Sequence, residues 1–315
     1  MATFIPRLSV IAGKIEATAG TEETLAAADA AMVISDPQVD DNIDLIERNF
    51  LTSSLSKFSP LIGAKERRIR FTTEMKGSGT AGTPPETDAY FRACGMSVTN
   101  VASTSDTYDM TDPTETVTIG RWLSDGTTPV KKTIIGAMGA FSLEGSIGGA
   151  MGATFDFLGQ YINVTDTALP ASITPDTLKP PQLLAVTFTI AGFSPKISTI
   201  TISGGQVVTL PGDITETHGK SVAIMTERAV EISFDAEMST VAAHDWYGRL
   251  RDGTEGALSL AIGSTAGNRF TISCPKLQYV GIAEGERDNA AVVNITARAN
   301  RSAAAGDDEL SILFN

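Results

Sequence analysis

The chain has 315 residues, of which 42% are hydrophobic and 19% charged, a composition typical of a folded protein. No segment approaches the roughly 20 consecutive apolar residues of a transmembrane helix, so the sequence predicts no membrane span. Thirty-seven acidic residues against 24 basic ones give a net charge of −13, which argues against ordinary nucleic-acid binding because phosphate contacts need lysine and arginine. An acidic surface would let DNA slide past without adhering, although such a charge can also serve solubility alone.

The sequence predicts no targeting signal and no metal loop in the N-terminal part of the chain. Its first ten residues have one basic residue and no apolar run of signal-peptide length, so we expect synthesis in a cytosol. The segment 36–44 carries four aspartates but lacks the glycine and closing glutamate of an EF-hand, and is predicted to be a solvated loop. In a reducing compartment, the widely separated Cys94 and Cys274 are predicted to be buried small hydrophobes.

A proline-rich stretch divides the chain almost at its middle. It covers residues 165–182 and predicts an extended linker, because proline fixes φ and removes a ladder donor. We therefore predict a first domain over residues 1–164 and a second over residues 183–315.

The two halves share short motifs in the same order. The motif I-x-F-x-x-E-M occurs at 69–75 and again at 232–238, and each copy predicts an alternating strand with Ile and Phe on one face. The motif D-x-Y-x-R follows at 88–92 and at 245–249. Each copy of it lies in a segment, 84–95 or 240–253, that is predicted to be a helix of about three turns ending at glycine.

After each predicted helix the sequence indicates two hairpins, because turn residues separate alternating β-formers. Their predicted strands are 115–123 with 131–135, 141–144 with 154–158, 257–263 with 269–273, and 276–280 with 291–298. The order strand, helix, hairpin, hairpin in each half predicts an internal duplication.

No motif for catalysis or metal binding is found. His218 and His244 have no metal-ligating neighbours at suitable spacing. Gly-Lys-Ser at 219–221 lacks the earlier glycine of a P-loop, and no serine lies in a G-x-S-x-G elbow. We therefore predict a structural protein without catalytic residues, metal or cofactor.

The N-terminal segment carries the most diagnostic pattern. Its elements, in chain order, are Lys14-x-Glu16, Gly20-Thr21, Asp29-Ala30 and Glu47-Arg48. Together with the alternating strand, the aromatic helix, the Gly-Ala steps at 136–140 and Pro180-Pro181, they resemble the tail tube proteins of long-tailed bacteriophages. That family often has a proline after Gly-Thr, where this chain has a Leu-Ala-Ala-Ala run at 25–28.

The resemblance implies a mainly β fold: a duplicated tail-tube-type β-sandwich or barrel with one flanking helix per copy. Such copies would join into rings, and the rings would stack into a tube. Two copies per chain imply a trimer with pseudo-sixfold symmetry, and one copy would imply a hexamer. The tube would form in the host cytoplasm, belong to the virion tail, pass DNA without specific binding, and contact tail proteins such as the tape measure and terminator.

Within this resemblance the N-terminal arm is the expected subunit or ring contact, since it precedes the predicted sheet and has little core of its own. The residues expected to make that contact are Lys14, Glu16, Gly20, Thr21 and Asp29. The Thr- and Asp-rich segment 98–113 is expected to meet the next ring. Acidic and small polar side chains of the hairpins are expected to line the lumen.

Three alternatives remain open at this point. A capsid decoration or minor tail protein would also be β-rich and acidic. A β-rich adhesin or binding module would be a stable monomer with a ligand. A hydrolase with a scattered triad would need His218 or His244 as its base.

Overall fold

The computed structural model describes residues 3–171, 173 and 176–315. In the part described, strands dominate and two short α-helices are present, α1 (Asp88–Ala93) and α2 (Trp246–Asp252). The strands of the first half are β1 (Val10–Ile15), β2 (Ala30–Ala31), β3 (Gln38–Ile46), β4 (Leu61–Glu74), β5 (Met96–Val101), β6 (Ser105–Met110), β7 (Val117–Leu123), β8 (Val130–Ser146), β9 (Gly152–Tyr161) and β10 (Thr165–Asp166). Those of the second half are β11 (Thr187–Ile190), β12 (Ile197–Ser203), β13 (Val207–Thr209), β14 (Ile224–Glu227), β15 (Glu231–Glu237), β16 (Gly256–Ile262), β17 (Phe270–Arg287), β18 (Ala290–Ala299) and β19 (Ser311–Phe314).

The same antiparallel pairing order occurs in both halves. In the first half, neighbouring strands run β1-β7-β8-β9-β4-β3. In the second half, they run β11-β16-β17-β18-β15-β12. The helix lies between β4 and β5 in the first half and between β15 and β16 in the second.

Two long strands, β8 and β17, each contribute to two sheets. Residues 130–137 of β8 pair with β7, and residues 142–146 pair with β12. The register of β8 against β9 shifts between Ile135 and Met138, and that of β17 against β18 shifts between Tyr279 and Gly281. Such bulges bend a strand, so each long strand can leave one sheet and continue in another.

Strand β12 joins the two halves. It pairs with β15 of its own half on one side and with the end of β8 on the other. A second connection is made by the C-terminal strand β19, which pairs with β17 and with β6 of the first half. The chain therefore forms a continuous hydrogen-bonded sheet system across its middle.

Most buried apolar side chains of the two halves form one continuous hydrophobic cluster, and Met138, Leu210 and Ala223 form a second, small one. In the first half, the ring of Tyr90 from α1 packs 4.9 Å from that of Phe71 on β4. In the second half, the ring of Trp246 from α2 packs 6.3 Å from that of Phe234 on β15. Each helix therefore closes its own half by placing an aromatic ring on the central strand.

The structure confirms the mainly β fold and the four predicted hairpins, with two differences in extent. Segments 131–135 and 141–144 belong to the single strand β8, and segments 269–273 and 276–280 belong to β17. Both helices are shorter than predicted, although glycines with positive φ follow them, Gly95 and Gly253. Of the described helices, none has the length and apolarity to cross a membrane.

One prediction about a loop is wrong. The aspartate-rich segment 36–44, predicted to be a solvated loop, largely forms β3, because pairing with β4 satisfies its backbone while most of its side chains face solvent. The segment 98–113, which is expected to meet the next ring, forms most of the hairpin of β5 and β6. Part of the predicted linker, residues 172, 174 and 175, lies outside the described residues, as do residues 1 and 2 of the predicted first domain.

Candidate assembly surface

Eight strands form a central sheet that extends through both halves. Their order is β3-β4-β9-β8-β12-β15-β18-β17, with β8 and β17 contributing their C-terminal parts. One face of this sheet packs on the hydrophobic cluster, and we call the other its open face. The open face and the two strands at the ends of the sheet are the candidate contact surfaces.

The two end strands present unpaired edges. β3 pairs with β4, and the 279–287 part of β17 pairs with β18. Within the described residues, no backbone hydrogen bond reaches the other edge of either segment. An open strand edge presents a row of N–H and C=O groups that readily pair with another chain.

The open face carries carboxylates, arginines and small polar side chains. Its acidic residues are Asp40, Glu66, Glu74, Glu144, Asp156, Glu231, Asp235 and Glu237. Its arginines are Arg68, Arg70, Arg287 and Arg298. Threonine and serine occupy many of the remaining positions, including Thr199, Thr201 and Ser203 on β12. The face is therefore acidic on balance. Its apolar side chains Met138 and Leu158 are covered by Leu210 and Ala223, which form a second, small hydrophobic cluster with them.

Ion pairs within the chain neutralise part of this charge. Arg68 donates from Nε to Asp156 Oδ1 at 2.6 Å, and Arg287 pairs with Asp235 and Glu237. Pairing neutralises these arginines locally, so fewer cations remain free to bind a polyanion.

Asp235 fixes the irregular start of β12. Its carboxylate accepts hydrogen bonds from the backbone N–H groups of Ser198 and Thr199, at 2.8 and 2.6 Å, and from both hydroxyls. Burial would raise the pKa of Asp235, but these hydrogen bonds and the one from Arg287 outweigh it and hold the pKa below its ordinary value. Asp235 thereby holds the strand that joins the two halves.

A buried arginine anchors the projecting hairpin of β3 and β4. The side chain of Arg67 is fully buried, donates to Asp41, and donates from Nη1 to the carbonyl oxygens of Thr133 and Ile162 at 2.8 and 2.9 Å. Burial would raise the pKa of Asp41, but hydrogen bonds from Arg67 and Lys132 outweigh it and hold the pKa low. The base of the hairpin is thus a charged, hydrogen-bonded cluster.

The outer part of the same hairpin exposes apolar side chains. Pairing with β9 begins at Glu66, so the hairpin extends beyond the sheet on the side of residues 43–62. Its exposed apolar residues are Ile43, Leu45, Ile46, Phe50, Leu51, Leu55, Phe58, Leu61 and Ile62. An apolar patch of this extent on a folded chain is typical of a protein–protein contact.

The predicted contact residues of the N-terminal arm lie largely within the fold. The premise that the arm precedes the sheet is wrong, because it contains β1, which pairs with β7 and buries Ile11 and Ala12. Glu16 is buried and accepts hydrogen bonds from Gly20 N, Thr116 Oγ1, Thr118 Oγ1 and Gly136 N at 2.6–2.8 Å. Glu16 therefore ties the arm to β7 and β8.

The other four predicted residues also make contacts inside the chain. Lys14 Nζ pairs with Glu23 at 2.8 Å, and Asp29 accepts a hydrogen bond from Ala26 N at 2.7 Å. Gly20 has a φ of +77°, and a Cβ there would lie 2.9 Å from Val222. Thr21 donates from its backbone N to Thr18 O and is exposed. Any role of these residues between subunits remains a proposal.

His244 and both cysteines lie in packed, buried surroundings. His244 stacks on Phe193, contacts Trp246 and hydrogen-bonds Tyr279, and burial lowers its pKa to about 4. Cys94 and Cys274 are buried and free. Across the described residues, no cluster of His, Cys, Asp and Glu has the arrangement of a metal site.

Before any comparison, these surfaces define a class of protein: a β-sheet protein with two open strand edges and an exposed apolar hairpin. Comparison with protein families agrees with this class. The family model described as "Phage tail tube protein" matches residues 6–309. The chain belongs to this family and is a structural component of a phage tail. No curated protein matches the chain.

Proposed function

We propose that this protein assembles into rings that stack as the tube of a phage tail and conduct DNA into the host. Three chains would form one ring, and each chain would supply two domains, residues 1–164 and 183–315, joined by the linker 165–182. The ring would have threefold symmetry and pseudo-sixfold domain order. Its assembly would occur in the host cytoplasm, without catalytic activity or cofactor.

The observation that carries this proposal is the repeated pairing order of the two halves. In the central sheet, the first half begins with β3 and ends with the long bent strand β8. The second half begins with β12 and ends with the long bent strand β17. The junction of β12 with β8 joins one half to the next inside the chain. Repeating that junction between chains would use both open edges and close a ring.

The open face of the central sheet would then line the lumen. It carries about twice as many acidic residues as arginines, and two of those arginines, Arg68 and Arg287, pair with carboxylates. Such a wall would repel the phosphate backbone and reduce adhesion of DNA during passage. The hydrophobic cluster and both helices lie behind this sheet, which suits a smooth polar channel.

The apolar outer part of the β3–β4 hairpin supports contact between copies. Leu51 and Leu55 are fully exposed in the isolated chain, and burial of such side chains in an assembly is favourable. The tape measure and terminator are proposed as further partners, at the lumen and at the end of the tube.

Negative-stain electron microscopy of the concentrated protein tests this function. Added salt screens the net charge of −13 and should favour association. We expect stacked rings with a stain-filled lumen. Uniform single particles at every concentration and salt level would contradict self-assembly as the function of this chain.

A further inference from the structure

We propose that the outer edge of β3 pairs antiparallel with the C-terminal part of β17 of a neighbouring copy, with Asp40 opposite Ala283 and Gln38 opposite Gly285. This inference rests on the proposed ring and specifies the strand pair and the register by which it closes. The partner is a second copy of this chain.

The template for this contact is present inside the chain. β12 lies beside β8 with Thr199 opposite Ser146, Thr201 opposite Glu144, and Ser203 opposite Ser142. On its other side β12 pairs with β15. One half is therefore joined to the other by a strand that uses both of its edges.

The pairing order assigns an equivalent to each strand of this junction. Ile69 and Phe71 on β4 match Ile232 and Phe234 on β15, and all four side chains are buried on the helix side of the sheet. β4 pairs with β3 as β15 pairs with β12. Through β9 and β18, the end of β8 likewise corresponds to the end of β17. The equivalents of β12 and β8 are therefore β3 and β17.

Both equivalents have the free edge that the junction requires. β12 uses its second edge on β8, whereas the corresponding edge of β3 has no backbone partner in the part of the chain described. The end of β8 receives β12, whereas the 279–287 part of β17 pairs with β18 alone among the described residues. The two vacant edges lie at opposite ends of the central sheet, as propagation from chain to chain demands.

The internal junction also fixes the register between chains. By the strand registers, Ser203 and Thr201 of β12 correspond to Asp40 and Gln38 of β3. Ser142 and Glu144 of β8 correspond to Ala283 and Gly285 of β17. The pair Ser203–Ser142 therefore predicts the pair Asp40–Ala283, and Thr201–Glu144 predicts Gln38–Gly285. Side-chain alternation then keeps Asp40 and Ala283 on the open face. Neither pair places like charges opposite each other, which would oppose association.

The geometry of these positions suits a cross-link. On the template, Gly204 N donates to Phe141 O at 3.0 Å and Ile147 N donates to Ser198 O at 2.8 Å. The alternating pairs between them, including Ser203–Ser142, are therefore non-hydrogen-bonded pairs, in which opposite Cα atoms approach to about 4.5 Å. A disulfide accepts Cα separations of about 4.4–6.8 Å, so Asp40 and Ala283 are suitable sites.

The proposed junction between chains lacks one contact that the internal junction has. Inside the chain, the β5–β6 hairpin also reaches the second half, where β6 pairs with β19. No strand lies between α2 and β16, so the second half has no equivalent hairpin to offer to the next chain. The β3–β17 pair therefore contributes a larger share of the contact between chains.

The test is disulfide cross-linking of the full-length protein carrying Asp40→Cys and Ala283→Cys. The native Cys94 and Cys274 are buried, so they do not compete for oxidation. Under mild oxidation in assembly conditions, we expect covalent oligomers ending in a closed trimer, of three times the 33.0 kDa chain mass. The matched control carries Asp40→Cys and Arg287→Cys, which this register separates by about four residues or roughly 13 Å.

The outcomes separate this inference from the function on which it rests. Rings seen by electron microscopy with efficient cross-linking of positions 40 and 283, and little of 40 and 287, would support the register. Rings without cross-linking of 40 and 283, or with preferential cross-linking of 40 and 287, would overturn the register while leaving ring assembly intact. Chains that neither assemble nor cross-link at any concentration would overturn both.

Discussion

Thr201 of β12 lies directly opposite Glu144 of β8, and this contact joins the second half of the chain to the first in one continuous sheet. Thr201 also lies opposite Ser233 of β15, so β12 is bonded along both edges. β12 is held on both sides inside the chain and the equivalent strand β3 on one side only, and the proposed ring would propagate through this difference.

A negative charge introduced at position 283 tests the contact between copies. Ala283→Glu would place a carboxylate opposite Asp40, and each such like-charge pair is expected to cost about 0.5–1 kcal/mol. The concentration needed for ring formation should therefore rise roughly two- to fivefold, with partial recovery in high salt. Light scattering against protein concentration measures this threshold.

The matched control for that prediction is Ala283→Lys, which changes the same exposed position but places an attractive charge opposite Asp40. It should assemble at least as readily as the unmodified protein. Equal thresholds for the glutamate and lysine variants would show that Asp40 does not face position 283.

The Arg67–Asp41 pair predicts a large effect at the base of the β3–β4 hairpin. Asp41→Ala would leave the buried guanidinium of Arg67 without its carboxylate, and breaking such a pair costs about 3–5 kcal/mol of unfolding free energy. The neighbouring Asp40→Ala removes an exposed carboxylate and should change stability by no more than about 0.5 kcal/mol. Urea unfolding of both variants measures the difference, and similar unfolding free energies would rule out the anchoring role.

Glu16 allows a test between a structural role and a role between subunits. Glu16→Gln replaces one accepting oxygen with a donor that faces N–H and hydroxyl groups, so we expect a loss of about 1–3 kcal/mol in unfolding free energy. Glu22→Gln, at an exposed position, is the control. A Glu16→Gln variant of normal stability that fails to assemble would instead place Glu16 in a subunit contact.

His244 predicts a dependence of stability on pH. Its pKa falls from 6.5 to about 4 in the folded chain because the ring is buried. The unfolded chain binds the proton more readily, so stability decreases as pH falls below 6.5 and continues to decrease to about pH 4. Between pH 7.5 and 5.5 the unfolding free energy should drop by about 1 kcal/mol from this group.

The control for this pH dependence is His244→Phe, which keeps an aromatic ring beside Phe193 and Trp246 but cannot titrate. Comparison of urea unfolding at the two pH values isolates the contribution of His244. An equal drop in both proteins would assign the pH dependence to other groups.

The sequence predicts local structure well where short-range patterns determine it. Turn residues between alternating β-formers correctly predict the hairpins of β7 with β8 and β17 with β18. The bends within β8 and β17 could not be predicted, because a bulge depends on partners that are distant in sequence. β3 could not be predicted for a related reason. An aspartate-rich segment is typical of a loop, and only the fold shows that it pairs with β4 and contacts Arg67.

The repeated motifs show how a correct pattern can misplace individual residues. Tyr90 and Tyr247 occupy the same place in the motif D-x-Y-x-R, yet Tyr90 is fully buried and Tyr247 is 44% exposed. Trp246 takes the core position of the second half instead. The shared motif therefore predicts where each helix lies but not which of its faces is buried. Packing against β4 or β15 decides that.

The candidate surface could be predicted only in part. An acidic surface follows from composition, but the arginines at 68, 70, 287 and 298 are assigned to the open face only when the strand faces are known. The open edges of β3 and β17 have no sequence signal, because an unpaired edge is defined by the absence of a neighbour in the fold.

Cryo-electron microscopy of tubes grown from the purified protein tests the central claim most directly. The account predicts rings of three chains with six similar domains around the lumen, and a continuous inner sheet in which β3 of one chain lies beside β17 of the next. Rings of six chains, or rings whose inner sheet is interrupted between chains, would contradict it.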